Sequence, residues 1–205
     1  MLNVTTIDKT KELIRLLDEV KSLEVYVGIP EEKSSRKGEQ ITNAELCYIH
    51  TNGSPLNHIP ERAIIEPAIE LKENKDRIVE ELKLAAESIF NKNPDACQKH
   101  LAKAGLIGQN ATRAWFTDPR NNWPPNSIAT AKAKLSKMNA KDLGKLIGLK
   151  KATLSEVAEQ IDITDKNISR PLIDTAELRK SIIYVVAIRK SIVPVKTILW
   201  SDIIK

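Results

Sequence analysis

Leu23-Glu24-Val25-Tyr26-Val27-Gly28-Ile29-Pro30 is the stretch on which the fold turns. Leu23, Val25, Val27 and Ile29 alternate with Glu24, Tyr26 and Gly28, the period of a strand with one apolar face, and Pro30 stops it because a ring nitrogen cannot donate to a sheet ladder. Before it, residues 8–21 place Leu13, Ile14, Leu17 and Val20 at helical spacing among charges, predicting an amphipathic helix with one buried stripe. A helix running into a strand needs partners for both apolar faces. They come from the far end of the chain: a strand over 181–188 and another over 195–200 are expected to pair with Leu23–Ile29. The fold class that follows is α+β, a small antiparallel sheet packed by several amphipathic helices.

Working outward, Glu31 to Gln40 is polar and reads as a loop. Thr42-Asn43-Ala44-Glu45 matches the capping box, in which hydroxyl and carboxylate each satisfy a backbone N–H left open at a helix start. The helix runs toward Gly53. Gly53 to Pro60 is turn chemistry, and Pro60 to Pro67 reads as extended. Ala68 to about Asn91 is expected to be one helix carrying Leu71, Ile78, Leu82, Ala85 and Ile89 inward, and 95–116 another, bent near Gly105 and Gly108. Asp118 to Asn126 holds three prolines and the pair Asn121-Asn122, so a loop with Trp123 as a buried anchor is predicted. Helical pattern returns over 127–151 and 153–160, with a helical turn over 175–180.

Composition narrows the function. The 205 residues are 41% hydrophobic, which excludes a wholly disordered chain, and one domain spanning 1–205 is the expectation. The longest apolar runs fall far short of the ~20 residues needed to span a bilayer. Met1 to Lys11 has no apolar core behind a basic start, so a secretory signal is not expected and a cytoplasmic origin is. Cys47 and Cys97 form no metal-ligand spacing and are expected to be reduced packing residues. His50, His58 and His100 sit in no triad-like arrangement, and no cofactor, metal or catalysis is expected.

The net charge of +5 conceals a polarity: residues 1–100 carry −4 and residues 101–205 carry +9. Lys132, Lys134, Lys137, Lys141, Lys145, Lys150 and Lys151 face only Asp142, a density that suits an acidic partner, nucleic acid or a neighbouring subunit, and equally a solvated lysine face.

Several of these runs, taken in order, resemble the tail-completion or head–tail joining proteins of tailed bacteriophages. The resemblance rests on Val27-Gly28-Ile29-Pro30, on Thr42-Asn43-Ala44-Glu45-Leu46 with Tyr48-Ile49-His50 and Gly53-Ser54-Pro55, and on Ile59-Pro60-Glu61-Arg62. It continues through Gly105-Leu106-Ile107-Gly108 before Arg113, Trp123-Pro124-Pro125-Asn126 with Thr130, and Arg170-Pro171-Leu172-Ile173-Asp174-Thr175 before Leu178-Arg179. It covers roughly residues 23–130 and 170–188. Two departures stand out. Ala176 replaces the family's usual Gly, and residues 131–169 separate motifs that normally lie closer, which suggests an inserted helical hairpin or lobe.

The resemblance implies a virion component that works by binding: a ring, hexameric by preference, in the neck or at the head-proximal tail end, assembled in host cytoplasm. Its partners would be itself, tail terminator or tube proteins and head-connector proteins, with possible contact to passing genomic DNA and no membrane. The motif residues read structurally. Gly28 would let the strand end close against a neighbour, the Trp123 loop would form a rigid corner, and Asp174-Thr175 with Glu177 and Arg179 would cap a short helix.

A competing pattern lies at about 153–170. Thr153 to Gln160 followed by Ile163 to Arg170 resembles a repressor-type helix-turn-helix, with Thr164, Asp165, Lys166 and Asn167 toward base edges and the lysine cluster on phosphates. Against it, Asp162 occupies the turn position usually held by Gly, and Pro171 ends the second helix early.

Overall fold

The computed structural model describes residues 9–36, 38–146, 148, 150, 153, 155, 172 and 176–188. The chain divides into two compact units, each from separate stretches: Met1–Ser35, Ile65–Ala114 and Ser181–Lys205 in the first, Arg36–Ile64 and Trp115–Lys180 in the second. The α+β class holds, with a small sheet packed against helices.

In the first unit α1 (Thr10–Ser22) leads directly into β1 (Leu23–Gly28), which pairs antiparallel with β2 (Ile183–Ile188), Leu23 opposite Ile188 and Gly28 opposite Ile183. The expected strand over 195–200 lies outside the described residues. Around the sheet stand α4 (Ile65–Glu70), α5 (Lys72–Phe90) and the 22-residue α6 (Pro94–Trp115). Leu16, Ala85, Ile89, Cys97 and Leu101 form the core, with Val20, Leu23, Val25 and Val186 packed on it. The apolar arc of α1 is wider than its core contact, so Leu16 is buried while Leu13 and Ile14 stay about half exposed at 50% and 53% and Leu17 is exposed with them, contrary to the expected stripe. Leu82 of α5 is likewise exposed rather than inward.

The single helix expected over 68–91 is two. Pro67 sits in the first turn of α4, where its missing N–H costs nothing, so the segment expected to be extended is helical from Ile65. Leu71 then takes an extended conformation (φ −53°, ψ 128°), and Asn74 Nδ2 donates to the Ala68 carbonyl that the break leaves open (2.8 Å). The bend expected in α6 is absent; the helix is continuous from Pro94 to Trp115. Its glycines serve close approach instead. A Cβ on Gly105 would lie 2.3 Å from the Tyr184 ring, and one on Gly108 2.9 Å from Val27, so both strands of the sheet rest on a face of α6 stripped of side chains. Tyr184 N–H also donates to Gln109 Oε1 (3.1 Å), and Arg113 Nε to the Ile182 carbonyl (3.0 Å).

In the second unit α3 (Asn43–Asn52) opens on the predicted capping box: Glu45 N–H donates to Thr42 Oγ1 (3.2 Å) and Thr42 N–H to Glu45 Oε2 (2.8 Å). The Thr42 N–H, and then the Thr42 hydroxyl (2.9 Å), donating to Glu45 Oε2 hold the Glu45 carboxyl below the usual range. Gly53 ends α3 at φ 71°, and a Cβ there would stand 3.0 Å from both Glu61 N and Ile59 O, so the turn closed by the Ser54–Ile59 bridge needs glycine twice over. The loop expected over 31–40 begins, at the end of the first unit, with a helical turn, α2 (Glu31–Ser34).

The helix expected over 127–151 is broken into α7 (Ile128–Lys137) and α8 (Ala140–Leu146). Met138 is extended, and Asn139 Oδ1 accepts from Lys141 N (3.1 Å) and Asp142 N (3.0 Å), an N-cap that starts α8 afresh. Ala131, Leu135 and Leu143 of this pair are buried. The short helix α9 (Glu177–Ser181) leads into β2. Among the described residues no helix is long and apolar enough to cross a membrane.

Candidate functional site

The second unit is organised by what holds the 119–126 loop. Trp115 and Trp123 both donate their indole N–H to the Ala63 carbonyl, at 3.1 and 3.2 Å, using its two lone pairs. Trp123 meets Phe116 edge to face, with centroids 5.6 Å apart and planes at 85°. Contrary to the expected buried anchor, Trp123 is only half-buried; Trp115 and Phe116 are the buried aromatics. Asn121 Nδ2 ties the loop to the Trp115 carbonyl (2.9 Å), and Asn122 adopts φ 49°.

One residue before Ala63, Arg62 is 5% exposed and donates through Nε (3.3 Å) and Nη2 (3.0 Å) to the Pro124 carbonyl, while its own N–H donates to the His50 carbonyl (2.6 Å). Among the described residues no carboxylate pairs with it. Burial accordingly lowers its pKa, although a guanidinium remains cationic at neutral pH. His50 Nδ1 is buried with no hydrogen-bond partner, and burial with the adjacent Arg62 charge brings the ring down to about 4, so it is neutral at pH 7.

Arg62 and His50 line a cavity of about 280 Å³ together with Arg36, Asn126, Thr130, Lys137 and Glu177, with Leu46, Ala133, Leu172, Ala176 and Leu178 as its apolar wall. Arg36 Nε stands 4.0 Å from Glu177 Oε2, too far for a hydrogen bond. Leu172 and Ala176 have φ of 61° and 59°, left-handed values that cost a side-chain-bearing residue free energy. The departure from glycine at Ala176 therefore falls where glycine fits best.

The structure thus brings together His50, Arg62, Asn126 and Leu178 at one cavity, with Trp123 and Pro124 behind it, and leaves other expected site residues apart. Pro30 is the N-cap of α2, Asn43 is buried at the start of α3, and Pro60 and Pro125 are exposed. Arg179 is half-buried on α9. Gly28 does not make the close approach expected of it, because a Cβ there would meet nothing within 4 Å. Pro171, Asp174 and Thr175 lie outside the described residues, as do Lys151 and nearly all of the helix-turn-helix pattern. Of the lysine cluster, Lys132, Lys137, Lys141 and Lys150 are exposed, with Lys137 at the cavity; Lys134 and Lys145 occupy positions on α7 and α8.

Arg36 was not among the expected site residues, and Thr130 entered only as part of the Trp123-Pro124-Pro125-Asn126 run. Arg36 lies in a stretch read as a polar loop, with Glu32 and Glu39 at i−4 and i+3, so nothing in its local charge pattern marks it out.

Cys47 shares α3 with His50, but burial pushes its thiol up, so it stays protonated and packs as a small apolar group; Cys97 is also buried and free. Among the described residues no cluster of His, Cys, Asp and Glu has the makings of a metal site. No family model matches the chain, and no curated protein or solved structure matches it either.

Proposed function

We propose that this chain is a structural subunit of a tailed-phage virion, of the tail-completion or head–tail joining type, acting by binding rather than catalysis. The supporting observation is the mutual fastening of the motifs that carry the resemblance: Arg62 on the Pro124 carbonyl, Trp123 on Ala63, and His50 against the Arg62 backbone. Side chains spent on carbonyls of distant loops serve a rigid scaffold. The partners on this reading are further copies of the chain in a ring, six by preference, together with tail terminator or tube proteins and head-connector proteins. Leu13, Ile14 and Leu17, exposed on α1, supply apolar surface for contact with a neighbouring copy. The exposed lysines of α7 and α8 suit contact with passing DNA without sequence reading.

The test is the native mass of the purified chain by light scattering at low and moderate salt, with and without duplex DNA and with isolated tail tubes. A ring, or a monomer that assembles on tube ends, is expected. A stable dimer that shifts a specific duplex would overturn the reading in favour of the helix-turn-helix, and a monomer indifferent to every addition would overturn it outright.

A further inference from the structure

We propose that the cavity of the second unit is a receptor for an oxyanion, a carboxylate or a phosphate-type group, gripped by Arg36, Arg62 and Lys137. A buried cation is costly unless an anion compensates it, and Arg62, at 5% exposure, has only a carbonyl dipole for company among the described residues. That carbonyl uses Nε and Nη2, which fixes the guanidinium plane and leaves Nη1 uncommitted. The grip is therefore set before any ligand arrives. Arg36 adds a second guanidinium on the same cavity, its Nε buried and without a hydrogen bond, and Lys137 an ammonium. Among the described residues Glu177 is the single carboxylate on the wall, paired with Arg36 at 4.0 Å, and against Arg36, Arg62 and Lys137 it leaves that lining with a positive balance.

The polar remainder of the wall suits the same ligand. His50 is neutral, with an unpartnered Nδ1 that can donate to an oxygen, and Asn126 and Thr130 line the cavity as well. A cavity of about 280 Å³ exceeds one water's share of about 30 Å³ many times over, so a tetrahedral anion or an acidic side chain fits with waters beside it. The site stands independently of the virion reading. Within a ring its occupant would be an acidic side chain from a neighbouring copy; outside one, a free ion of the same chemistry.

The experiment is a titration of the full chain, followed by the ring signals of its histidines in NMR, with His58 and His100 as internal controls. Sodium phosphate and a short glutamate peptide are the two probes, each against sodium chloride at equal ionic strength. A saturable shift confined to His50 is expected with at least one probe; the peptide binding tighter assigns the site to an acidic side chain, phosphate binding tighter to a free ion. Affinity should fall about tenfold in Arg36→Gln and in Lys137→Gln, which spare the Arg62 bond that fastens the 119–126 loop. No shift of His50 beyond that of chloride with either probe, or unchanged affinity in both variants, would overturn the proposal.

Discussion

Replacing Gly105 by alanine sets two effects of opposite sign against each other. Within a helix interior alanine is better than glycine by about 1 kcal/mol, so on propensity alone Gly105→Ala in the 22-residue α6 should stabilise the protein. Packing argues otherwise. The new methyl would lie 2.3, 2.6 and 2.9 Å from Cδ2, Cγ and Cβ of Tyr184, where carbon pairs prefer roughly 3.5–4.0 Å. The obstructing atoms are the root of the ring and the Cβ, not a flexible tip, so relief requires moving β2 itself. Such overpacking costs about 1–3 kcal/mol, and displacement of Tyr184 N from Gln109 Oε1 adds about 1 kcal/mol. After subtracting the propensity gain, the expected result is a net loss of about 2 kcal/mol, read as a lower urea midpoint and a melting temperature lower by about 4–8 °C. In a Tyr184→Ala background the same substitution should cost much less, because two of the three obstructing atoms are gone. A Gly105→Ala protein as stable as wild type, or an equal cost in both backgrounds, would refute the close packing of β2 on α6.

Three further outcomes follow from the second unit. Ala176→Gly relieves a left-handed alanine (φ 59°) and should raise stability by about 1 kcal/mol in a urea titration, whereas an unchanged or lower midpoint would deny the strain. His50 has a folded pKa of about 4 against an ordinary 6.5, so the unfolded chain binds the extra proton first; its contribution is fully present above pH 6.5, is lost as pH falls from 6.5 toward 4, and levels off below. His50→Asn should flatten that part of a plot of urea midpoint against pH, and an undiminished slope would place the titration elsewhere. Trp123→Ala removes an edge-to-face pair with Phe116 and an indole bond to Ala63, and because the ring is half-buried the expected loss is about 2–3 kcal/mol rather than a full core value, measured by denaturant unfolding.

Legibility in the sequence followed the range of the forces involved. The α3 start was readable because a capping box is complete within four residues, and β1 because its alternation and Pro30 are local. The breaks in the two long helices divide on the same ground. The α7–α8 break carried a local signal, Asn139 three residues before Asp142, which the continuous apolar pattern overrode in the reading. The α4–α5 break carried none: Leu71 is an ordinary helix former whose extended backbone is stabilised by Asn74 reaching back to Ala68. Gly105 and Gly108 were misread as a bend because propensity sees only the helix they weaken. The reason for them is Tyr184 and Val27, one of which lies at the opposite end of the chain.

The same limit explains why the cavity was only half visible. His50, Arg62, Asn126 and Leu178 were singled out one by one, but nothing in their spacing says that they share a wall, since the link between them is made by carbonyls, and a carbonyl has no residue type. Pro124 offers its oxygen to Arg62, Ala63 to two tryptophans, and His50 to the Arg62 N–H. Arg36 went unnoticed for the converse reason: its place on the cavity depends on the path of the chain between α2 and α3, which no periodicity encodes. A cation cluster assembled this way has a consequence that a surface patch of the same charge lacks. Held on the Pro124 carbonyl and largely shielded from water, Arg62 keeps more of its attraction for an anion at ionic strengths that would screen the exposed lysines of α7 and α8, so salt should weaken any binding through Lys132 and Lys141 before it weakens binding in the cavity.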